Sequence, residues 1–176
     1  MLIYLIGFSG SGKTTTGRQL ASKLKFNFID TDDFIDEKTG KSVSEIFDIE
    51  GEVKFRELER KAIEEISLNK NTVVATGGGL PCFNDTMLLM NVTGTTVYLK
   101  VNTGILFKRL VKEKKSRPLI KSLTDVEVME FITYHMQLRE GYYNQAKIKF
   151  NADDLSGKNM DALLAVIKSK IDSLCD

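Results

Sequence analysis

Short apolar segments alternate with longer amphipathic segments along most of the chain. The first, residues 2–6, is an uninterrupted hydrophobic run that stops at Gly7, which is typical of a parallel β-strand buried on both faces. The predicted strands are residues 2–6, 26–30, 72–76, 95–101 and 147–150. Because helices separate these strands, the pattern predicts an α/β fold, a three-layer α/β/α sandwich around a parallel sheet.

The segments between the strands carry helical signals. The final helix is the clearest, since its apolar residues recur at helical spacing, namely Met160, Leu163, Leu164, Ile167, Ile171 and Leu174. The other predicted helices run from Lys13 to about Leu24, from a Thr31 cap to Gly40, from Ser42 to Gly51, onward to about Leu68, through Ile105 and Leu110, and from about Thr124 to Tyr143. With no repeat or linker, we expect one domain over residues 1–176.

A glycine-rich motif follows the first predicted strand. Residues 7–14 read Gly-Phe-Ser-Gly-Ser-Gly-Lys-Thr and match the phosphate-binding pattern G-x-x-x-x-G-K-[ST] in full. The glycines allow backbone N–H groups to surround an anion, and Lys13 can reach the outer phosphates. Thr14 can place its hydroxyl on Mg²⁺. A turn that binds nothing is the alternative, but the strand before the motif and the helix after it favour a nucleoside triphosphate site.

The motif indicates a nucleotide but not the reaction. A GTPase would carry a guanine-reading segment such as N-K-x-D, which the sequence lacks. ATPase motors usually carry a hydrophobic strand that ends in adjacent acids, whereas the strand at 72–76 is followed by three glycines. A small-molecule kinase is the large class that remains.

Charge, cysteine content and the N-terminal segment limit the binding partners and the cellular compartment that can be expected. With 25 Lys and Arg against 24 Asp and Glu, the net charge is +1, so no positive field favours nucleic acid or a membrane. Cys82 and Cys175 lack metal-ligand spacing. A disulfide between them stays open, although free thiols in a reducing compartment fit better. Residues 2–6 read as a strand and not as a signal peptide, so we expect a cytoplasmic protein.

Two acids lie where the second strand gives way to a helix. Ligands of open α/β sheets bind at the carboxyl ends of the strands, so Asp30 and Asp32 are expected beside the phosphate motif. One could hold Mg²⁺ through water, and the other could accept the proton of an attacking hydroxyl. Capping of the helix N-terminus is the alternative for either acid.

Three consecutive glycines, Gly77, Gly78 and Gly79, follow the third strand. Each glycine costs about 0.5–1 kcal/mol of backbone entropy relative to alanine. One or two would suffice for a tight turn, so the run predicts close approach of the backbone to a ligand.

Two arginines lie beside or on apolar helix faces. Arg56 is at the edge of its stripe and Glu59 almost on it, so an ion pair could hold the guanidinium towards a cleft. A surface ion pair is an equally good interpretation. Arg139 continues the apolar face of the helix at 124–143, where an arginine is rare unless it is paired or binds an anion. His135 is predicted to face solvent, and no role is assigned to it.

A polar segment at about 112–123 joins two helices and contains Arg117. Such a segment fits a mobile lid that closes on the nucleotide and delivers positive charge to the transferring phosphoryl group. A charged surface loop is the alternative.

Together these residues resemble the shikimate kinase family over essentially the whole chain. The phosphate motif alone is shared by many families, so the ordered set carries the specificity. Its signatures are residues 7–14, the Asp-Thr-Asp at 30–32, Phe55-Arg56 with Glu59, Gly77-Gly78-Gly79, and Arg117-Pro118-Leu119 followed by Leu138-Arg139. The resemblance implies a P-loop kinase fold with a five-stranded parallel sheet, similar to nucleoside monophosphate kinases and usually monomeric.

The resemblance also implies an activity and an acceptor site. The γ-phosphoryl group of ATP would pass to the 3-hydroxyl of shikimate, on the route to chorismate and the aromatic amino acids. Asp32 would bind shikimate hydroxyls and is the candidate base. Arg56 and Arg139 would clamp the substrate carboxylate, and the backbone of Gly78 would contact the ring substituents.

At the donor end, the resemblance implies ATP and Mg²⁺. Thr14 would ligate the metal, with Asp30 in its outer shell through water. The residues expected to contact the nucleotide are Gly10, Ser11, Gly12, Lys13, Thr14, Thr15 and Arg117. Lys13, Asp32 and Arg117 are the expected catalytic residues, and the helices at about 31–60 and the lid at about 112–123 are expected to move.

Two departures from the family pattern bear on affinity. The family often continues its last arginine as Arg-x-Pro-Leu-Tyr, whereas this chain has Gly141 in place of the proline, which could loosen the helix end that carries Arg139. Leu80-Pro81 follows the glycine run, where smaller residues are common. A gluconate- or nucleotide-type kinase of the same fold, and a nucleotide-binding module without catalysis, are the other functions considered.

Overall fold

The computed structural model describes residues 1–117 and 119–172. Within them, five strands form one parallel sheet in the order β2-β3-β1-β4-β5. The strands are Leu2–Ile6 (β1), Asn27–Asp30 (β2), Thr72–Ala75 (β3), Thr95–Lys100 (β4) and Ile148–Asn151 (β5). The predicted α/β class and parallel sheet are confirmed. Because β1 is central, the phosphate motif that follows it lies in the middle of the carboxyl edge of the sheet.

Helices cover both faces of this sheet. In the described ranges they are Lys13–Leu24 (α1), Thr31–Thr39 (α2), Val43–Ile66 (α3), Thr86–Thr93 (α4), Thr103–Lys112 (α5), Asp125–Tyr143 (α6) and Gly157–Asp172 (α7), with short 3-10 turns at Leu80–Cys82 and Lys114–Ser116. α4 and the turn before it were not predicted. α4 is almost continuously apolar and begins after Asp85 without a side-chain cap, so neither periodicity nor capping chemistry marks it in the sequence.

The first turn of α2 corrects one prediction. The expectation that Thr31 caps this helix is wrong, because Asp30 is the N-cap and its carboxylate accepts the N–H of Asp32 at 3.2 Å. Asp30 still has extended backbone angles (φ −100, ψ 130), so the strand reaches it and the helix begins one residue later. The Thr31 hydroxyl instead accepts the N–H of Gly77 at 2.9 Å.

The break predicted at Gly51 is present as a kink inside α3. Gly51 has φ 83 and ψ 171, which are not helical angles, and the helix continues on both sides of it. The start of α3 follows the prediction, since Ser42 and Glu45 form a reciprocal capping box.

The core has two parts, one on each face of the sheet, and β1 contributes to both. Ile3 and Leu5 belong to one cluster, together with residues of α1, α5 and α7. Leu2, Tyr4 and Ile6 belong to the other, together with residues of α2, α3 and α4. Side chains of a strand alternate between its faces, so an all-apolar β1 requires helices on both sides. This explains the three layers.

The remaining structural expectations concern the cysteines and the membrane. Cys82 is half-buried with a free thiol, whereas Cys175 and Leu174 lie outside the described residues. No helix in the described part of the chain is both long enough and apolar enough to span a bilayer.

Candidate active site

The phosphate motif forms a loop between β1 and α1 whose backbone requires glycine at three positions. Gly7, Gly10 and Gly12 have φ values of 142, 81 and 90, in the region that side chains with a Cβ avoid. Gly12 stands directly before the first residue of α1. The loop therefore presents backbone N–H groups and the positive end of a helix to the same space.

Lys13 is held inside this loop. Its Nζ donates to the carbonyl oxygens of Gly7 at 2.8 Å and Phe8 at 2.9 Å. Burial lowers the pKa of Lys13 to about 8, and the carboxylates of Asp32 and Asp30 oppose this effect. At neutral pH the side chain therefore stays mostly cationic, as an interaction with phosphates requires.

Thr14 and Asp30 meet at the mouth of the loop. The Thr14 hydroxyl donates to Asp30 Oδ2 at 2.7 Å, while Asp30 Oδ1 caps α2. A hydroxyl and a carboxylate beside a phosphate site are hard oxygen donors, and they fit Mg²⁺. Among the described residues no group of three or more His, Cys, Asp or Glu could hold a metal, so the nucleotide and water would supply the other ligands.

Asp32 lines the site, and one of its two carboxylate oxygens is unpaired within the described part of the chain. Its Oδ1 is buried and has no hydrogen-bond partner among the described residues. Burial, and after it the charge of Asp30, raises the pKa of Asp32 to about 6, while Lys13 opposes the increase. A carboxylate with this pKa is ionised at neutral pH and can accept a proton from a bound hydroxyl.

One cavity of about 520 Å³ joins these groups. Every residue of the predicted nucleotide set lines it, as do Asp30, Asp32, Gly77 and Gly78. Arg56 and Arg139, the two predicted carboxylate-binding residues, are not among the residues that line this cavity.

Each glycine of the run lies against a different functional group. A Cβ on Gly77 would stand 3.0 Å from both Asp32 Oδ1 and Glu59 Oε1. A Cβ on Gly78 would stand 3.2 Å from the backbone nitrogen of Ser9, and one on Gly79 would stand 3.0 Å from Arg56 Nη1. The run is therefore explained by close approach to protein groups, and contact with a ligand stays a prediction.

The predicted pair of Arg56 and Glu59 is present. Arg56 Nη1 donates to Glu59 Oε2 at 2.6 Å, and its Nη2 donates to Glu52 at 2.8 Å. The Arg56 guanidinium also lies 4.2 Å from the centroid of the Phe83 ring. Burial raises the pKa of Glu59, and Arg56 opposes this effect. Two glutamates and an aromatic ring therefore hold the Arg56 guanidinium in place, and the glutamates offset part of its charge.

Arg139 has a different environment. No acidic side chain of the described residues lies within 4.0 Å of its guanidinium. Its neighbours are the Phe8 ring, 5.6 Å from the Arg139 Cζ, and His135 Nδ1, 3.4 Å from its Nη2. The Tyr143 hydroxyl also lies within hydrogen-bonding reach of the Arg139 side chain. A half-buried guanidinium without a carboxylate partner is suited to bind an anion.

The prediction that His135 faces solvent is wrong. His135 is half-buried against the Phe131 ring, with 4.3 Å between the centroids, and it contacts Arg139. Residues four apart share a helix face, so a histidine one turn before Arg139 faces the same neighbours. Burial, with a contribution from Arg139, lowers the pKa of His135.

Arg117 reaches the phosphate loop from the segment between α5 and α6. Its Nη1 donates to Ser9 Oγ at 2.7 Å, and its Nη2 donates to Glu113 at 2.5 Å. Ile120, farther along the same segment, is buried in the core. The segment is therefore not only a charged surface loop. Pro118, part of the sequence signature, lies outside the described residues.

Sequence reasoning assigned no role to several residues near the site. Arg109 and Leu155 line the cavity, and Arg109 donates to the carbonyl oxygens of Gly10 at 3.2 Å and Asp153 at 2.8 Å. Tyr143 is fully buried and donates to the carbonyl of Gly78 at 2.5 Å. These contacts join segments far apart in the chain, so local spacing does not predict them, although Tyr143 stands at the tyrosine of the family pattern Arg-x-Pro-Leu-Tyr.

Comparison with known proteins agrees with this geometry. The family model described as Shikimate kinase matches residues 9–168. A shikimate kinase from Phocaeicola vulgatus is 45% identical over 172 residues, which cover 98% of this chain and 95% of that protein. Both matched regions include the cavity, Arg56 and Arg139.

Two solved structures show the same fold at substantial identity. Shikimate kinase from Bacteroides thetaiotaomicron superposes with a TM-score of 0.91 and 41% identity, over 98% of both chains. Shikimate kinase from Acinetobacter baumannii, solved in complex with shikimate, superposes with a TM-score of 0.82 and 32% identity, over 98% of this chain and 93% of that one. The chain therefore belongs to the shikimate kinase family, the enzymes that phosphorylate shikimate with ATP and Mg²⁺.

Proposed function

We propose that this chain transfers the γ-phosphoryl group of ATP to the 3-hydroxyl of shikimate in the 520 Å³ cavity. One observation carries the assignment. Asp32 lines the same cavity as the phosphate loop, so an acceptor hydroxyl and the terminal phosphate can meet there.

At the donor end, the loop backbone from Gly10 to Thr15 and the Lys13 ammonium hold the phosphates. Thr14 and, through water, Asp30 hold Mg²⁺, which when bound neutralises charge on the phosphate oxygens. Arg117, already hydrogen-bonded to Ser9 of the loop, adds positive charge from the lid. Positioning and charge stabilisation of this kind account for most of the catalysis in phosphoryl transfer.

At the acceptor end, Asp32 orients the reacting hydroxyl and receives its proton. As the hydroxyl oxygen bonds to the γ-phosphorus, the bond from that phosphorus to the β-phosphate oxygen breaks and ADP leaves. A carboxyl pKa of about 6 keeps Asp32 ionised and ready to accept this proton at neutral pH.

The two arginines bind the shikimate carboxylate, and the Gly78 backbone lies against the ring. Arg139 lacks an acidic partner among the described residues and supplies most of the attraction. Arg56, held by Glu52 and Glu59, supplies a fixed set of N–H donors. The relative from Acinetobacter baumannii, solved with shikimate, supports a shikimate site in this fold.

We further propose that the protein is a cytoplasmic monomer with one domain over residues 1–176. The helices at about 31–60 and the lid at about 112–123 close on the substrates. Light scattering of the purified protein with and without substrates would test the oligomeric state.

The decisive experiment is a comparison of acceptors. ADP release from ATP and Mg²⁺ should depend on shikimate and be absent with gluconate or nucleoside monophosphates. The amide of shikimate should bind about 10²-fold more weakly, because it removes a charge from a pairing with Arg139. A Lys13→Ala variant should be inactive and so excludes a contaminating kinase. Turnover with gluconate or a nucleotide, without turnover of shikimate, would refute the assignment.

A further inference from the structure

The hydroxyl of Tyr143 joins the last turn of α6 to the glycine run. The side chain is fully buried and donates to the Gly78 carbonyl at 2.5 Å. Burial raises the pKa of Tyr143, and the nearby Arg139 guanidinium opposes this effect. The hydroxyl therefore stays protonated throughout the working pH range and remains a donor to Gly78.

Tyr143 is also the anchor of the half of α6 that carries Arg139. The fully buried residues of this helix are Val128, Ile132 and Tyr143. The first two pack in one core cluster and Tyr143 in the other, so α6 passes from one layer to the other across the sheet edge. Arg139 lies in the span between Ile132 and Tyr143, one turn before the anchor.

Gly141 makes this anchor more important. It is exposed, and a Cβ placed on it would have no neighbour within 4 Å. A glycine in a helix weakens local backbone order. The final turn of α6 therefore depends on Tyr143 to hold its place.

Gly78, which accepts the hydrogen bond from Tyr143, also lies close to the site. Gly78 packs on the phosphate loop, where its Cβ position is 3.2 Å from the Ser9 nitrogen. Gly77, the preceding residue, lies against Asp32 Oδ1. Fixing the Gly78 carbonyl therefore fixes the backbone beside the acid that faces the acceptor hydroxyl.

We infer that Tyr143 is a positioning residue that sets the spacing between the carboxylate end and the hydroxyl end of the acceptor site. Through its hydrogen bond to Gly78, it holds Arg139 at a fixed distance from Asp32. The inference rests on the proposed function, because it assigns these two residues to opposite ends of shikimate.

The test compares two buried tyrosines. Tyr143→Phe keeps the ring and removes the hydroxyl. The matched control is Tyr98→Phe, since Tyr98 packs 5.1 Å from Tyr143, is 1% exposed, and its hydroxyl has no partner among the described residues. Tyr143→Phe should raise the shikimate KM about tenfold, because the Gly78 carbonyl loses its donor. The ATP KM should hardly change, and Tyr98→Phe should leave both constants unaltered.

A double-mutant cycle separates positioning from general loosening. If Tyr143 acts by placing Arg139, Tyr143→Phe should have little further effect on the shikimate KM in an Arg139→Ala background. Each variant is assayed well below its own Tm, so that a loss of stability does not enter the constants. Additive effects in the cycle, or parallel increases in the KM of ATP and of shikimate, would overturn the inference.

Failure of the proposed function has a different signature. A wild-type chain without shikimate-dependent ADP release refutes the proposed function, and the inference falls with it. An active wild type, in which the two phenylalanine variants have the same shikimate KM, refutes the inference alone.

Discussion

Replacing Asp32 by Asn should stabilise the folded protein while abolishing most of its activity. Asp32 is a half-buried carboxylate with an unpaired oxygen, and its pKa is raised from 3.8 to about 6. The folded state therefore disfavours the ionised form that the proposed mechanism uses. Asn has nearly the same shape, carries no charge and cannot accept the proton.

The size of the stabilisation follows from this pKa. Two pKa units correspond to about 3 kcal/mol, since each is worth about 1.4 kcal/mol. Ionised Asp32 also stabilises the charge of Lys13, and the side chain keeps some solvent contact, so a net gain of about 1–3 kcal/mol is expected.

The direction of the Asp32 pKa shift determines how the stability difference depends on pH. A carboxyl group with a raised folded-state pKa binds its proton more tightly in the folded protein. Its destabilising effect is therefore absent below the unfolded value near 3.8, grows as the pH rises towards about 6, and is complete above that. The difference in free energy of unfolding between Asp32→Asn and wild type should increase with pH over this window and then level off.

Denaturant unfolding of both proteins without nucleotide, from acidic to mildly alkaline pH, measures this difference. A protein of this size should gain about 2–4 °C in Tm per kcal/mol. The control is Asp33→Asn in the same helical turn, because the Asp33 side chain is 67% exposed and should change stability by less than about 1 kcal/mol. Turnover of Asp32→Asn should fall by about 10²-fold or more, with ATP binding retained. A variant that is less stable at every pH, or one with near-normal turnover, would refute the reasoning.

Three further predictions separate binding, folding and catalysis. Arg139→Ala should raise the shikimate KM about 10²-fold with little loss of stability. Arg56→Ala should instead destabilise the fold by about 3–5 kcal/mol, because it leaves Glu59 buried without its partner. Thermal unfolding and steady-state kinetics of both variants test this, and a stability loss in Arg139→Ala with a KM effect only in Arg56→Ala would contradict it. Arg117→Ala should lower kcat by about 10²-fold or more while the shikimate KM stays constant. A variant in which only the shikimate KM rises would show that Arg117 does not act on the phosphates. Gly141→Ala should stabilise the protein by about 0.5–1 kcal/mol, as urea unfolding can show, because the new methyl group meets no neighbour; a loss of stability would contradict the regular helix at this position.

Local chemistry explains how much of the fold and site was predictable. β1 and α1 have their predicted bounds, because an apolar run, a glycine motif and a lysine each act within a few residues. α4 escaped prediction because it has neither a one-sided pattern nor a cap. The pairing of Arg56 with Glu59 was predictable from its three-residue spacing, whereas the contact of Arg56 with Phe83 joins separate elements and was not.

The sequence by itself determined the donor chemistry, since the phosphate loop depends on glycine backbone freedom, one lysine and the helix that follows. It also predicted the acceptor residues as a set, through their resemblance to one family. Only the tertiary structure decided which of these residues are paired, which are buried and how their charges are balanced. It left Arg139 without an acidic partner among the described residues, placed Arg56 between two glutamates, and turned His135 towards Arg139. Tyr143 gained its contact with Gly78 in the same way. Burial and long-range contacts set charge and pKa, and neither exists until the layers pack.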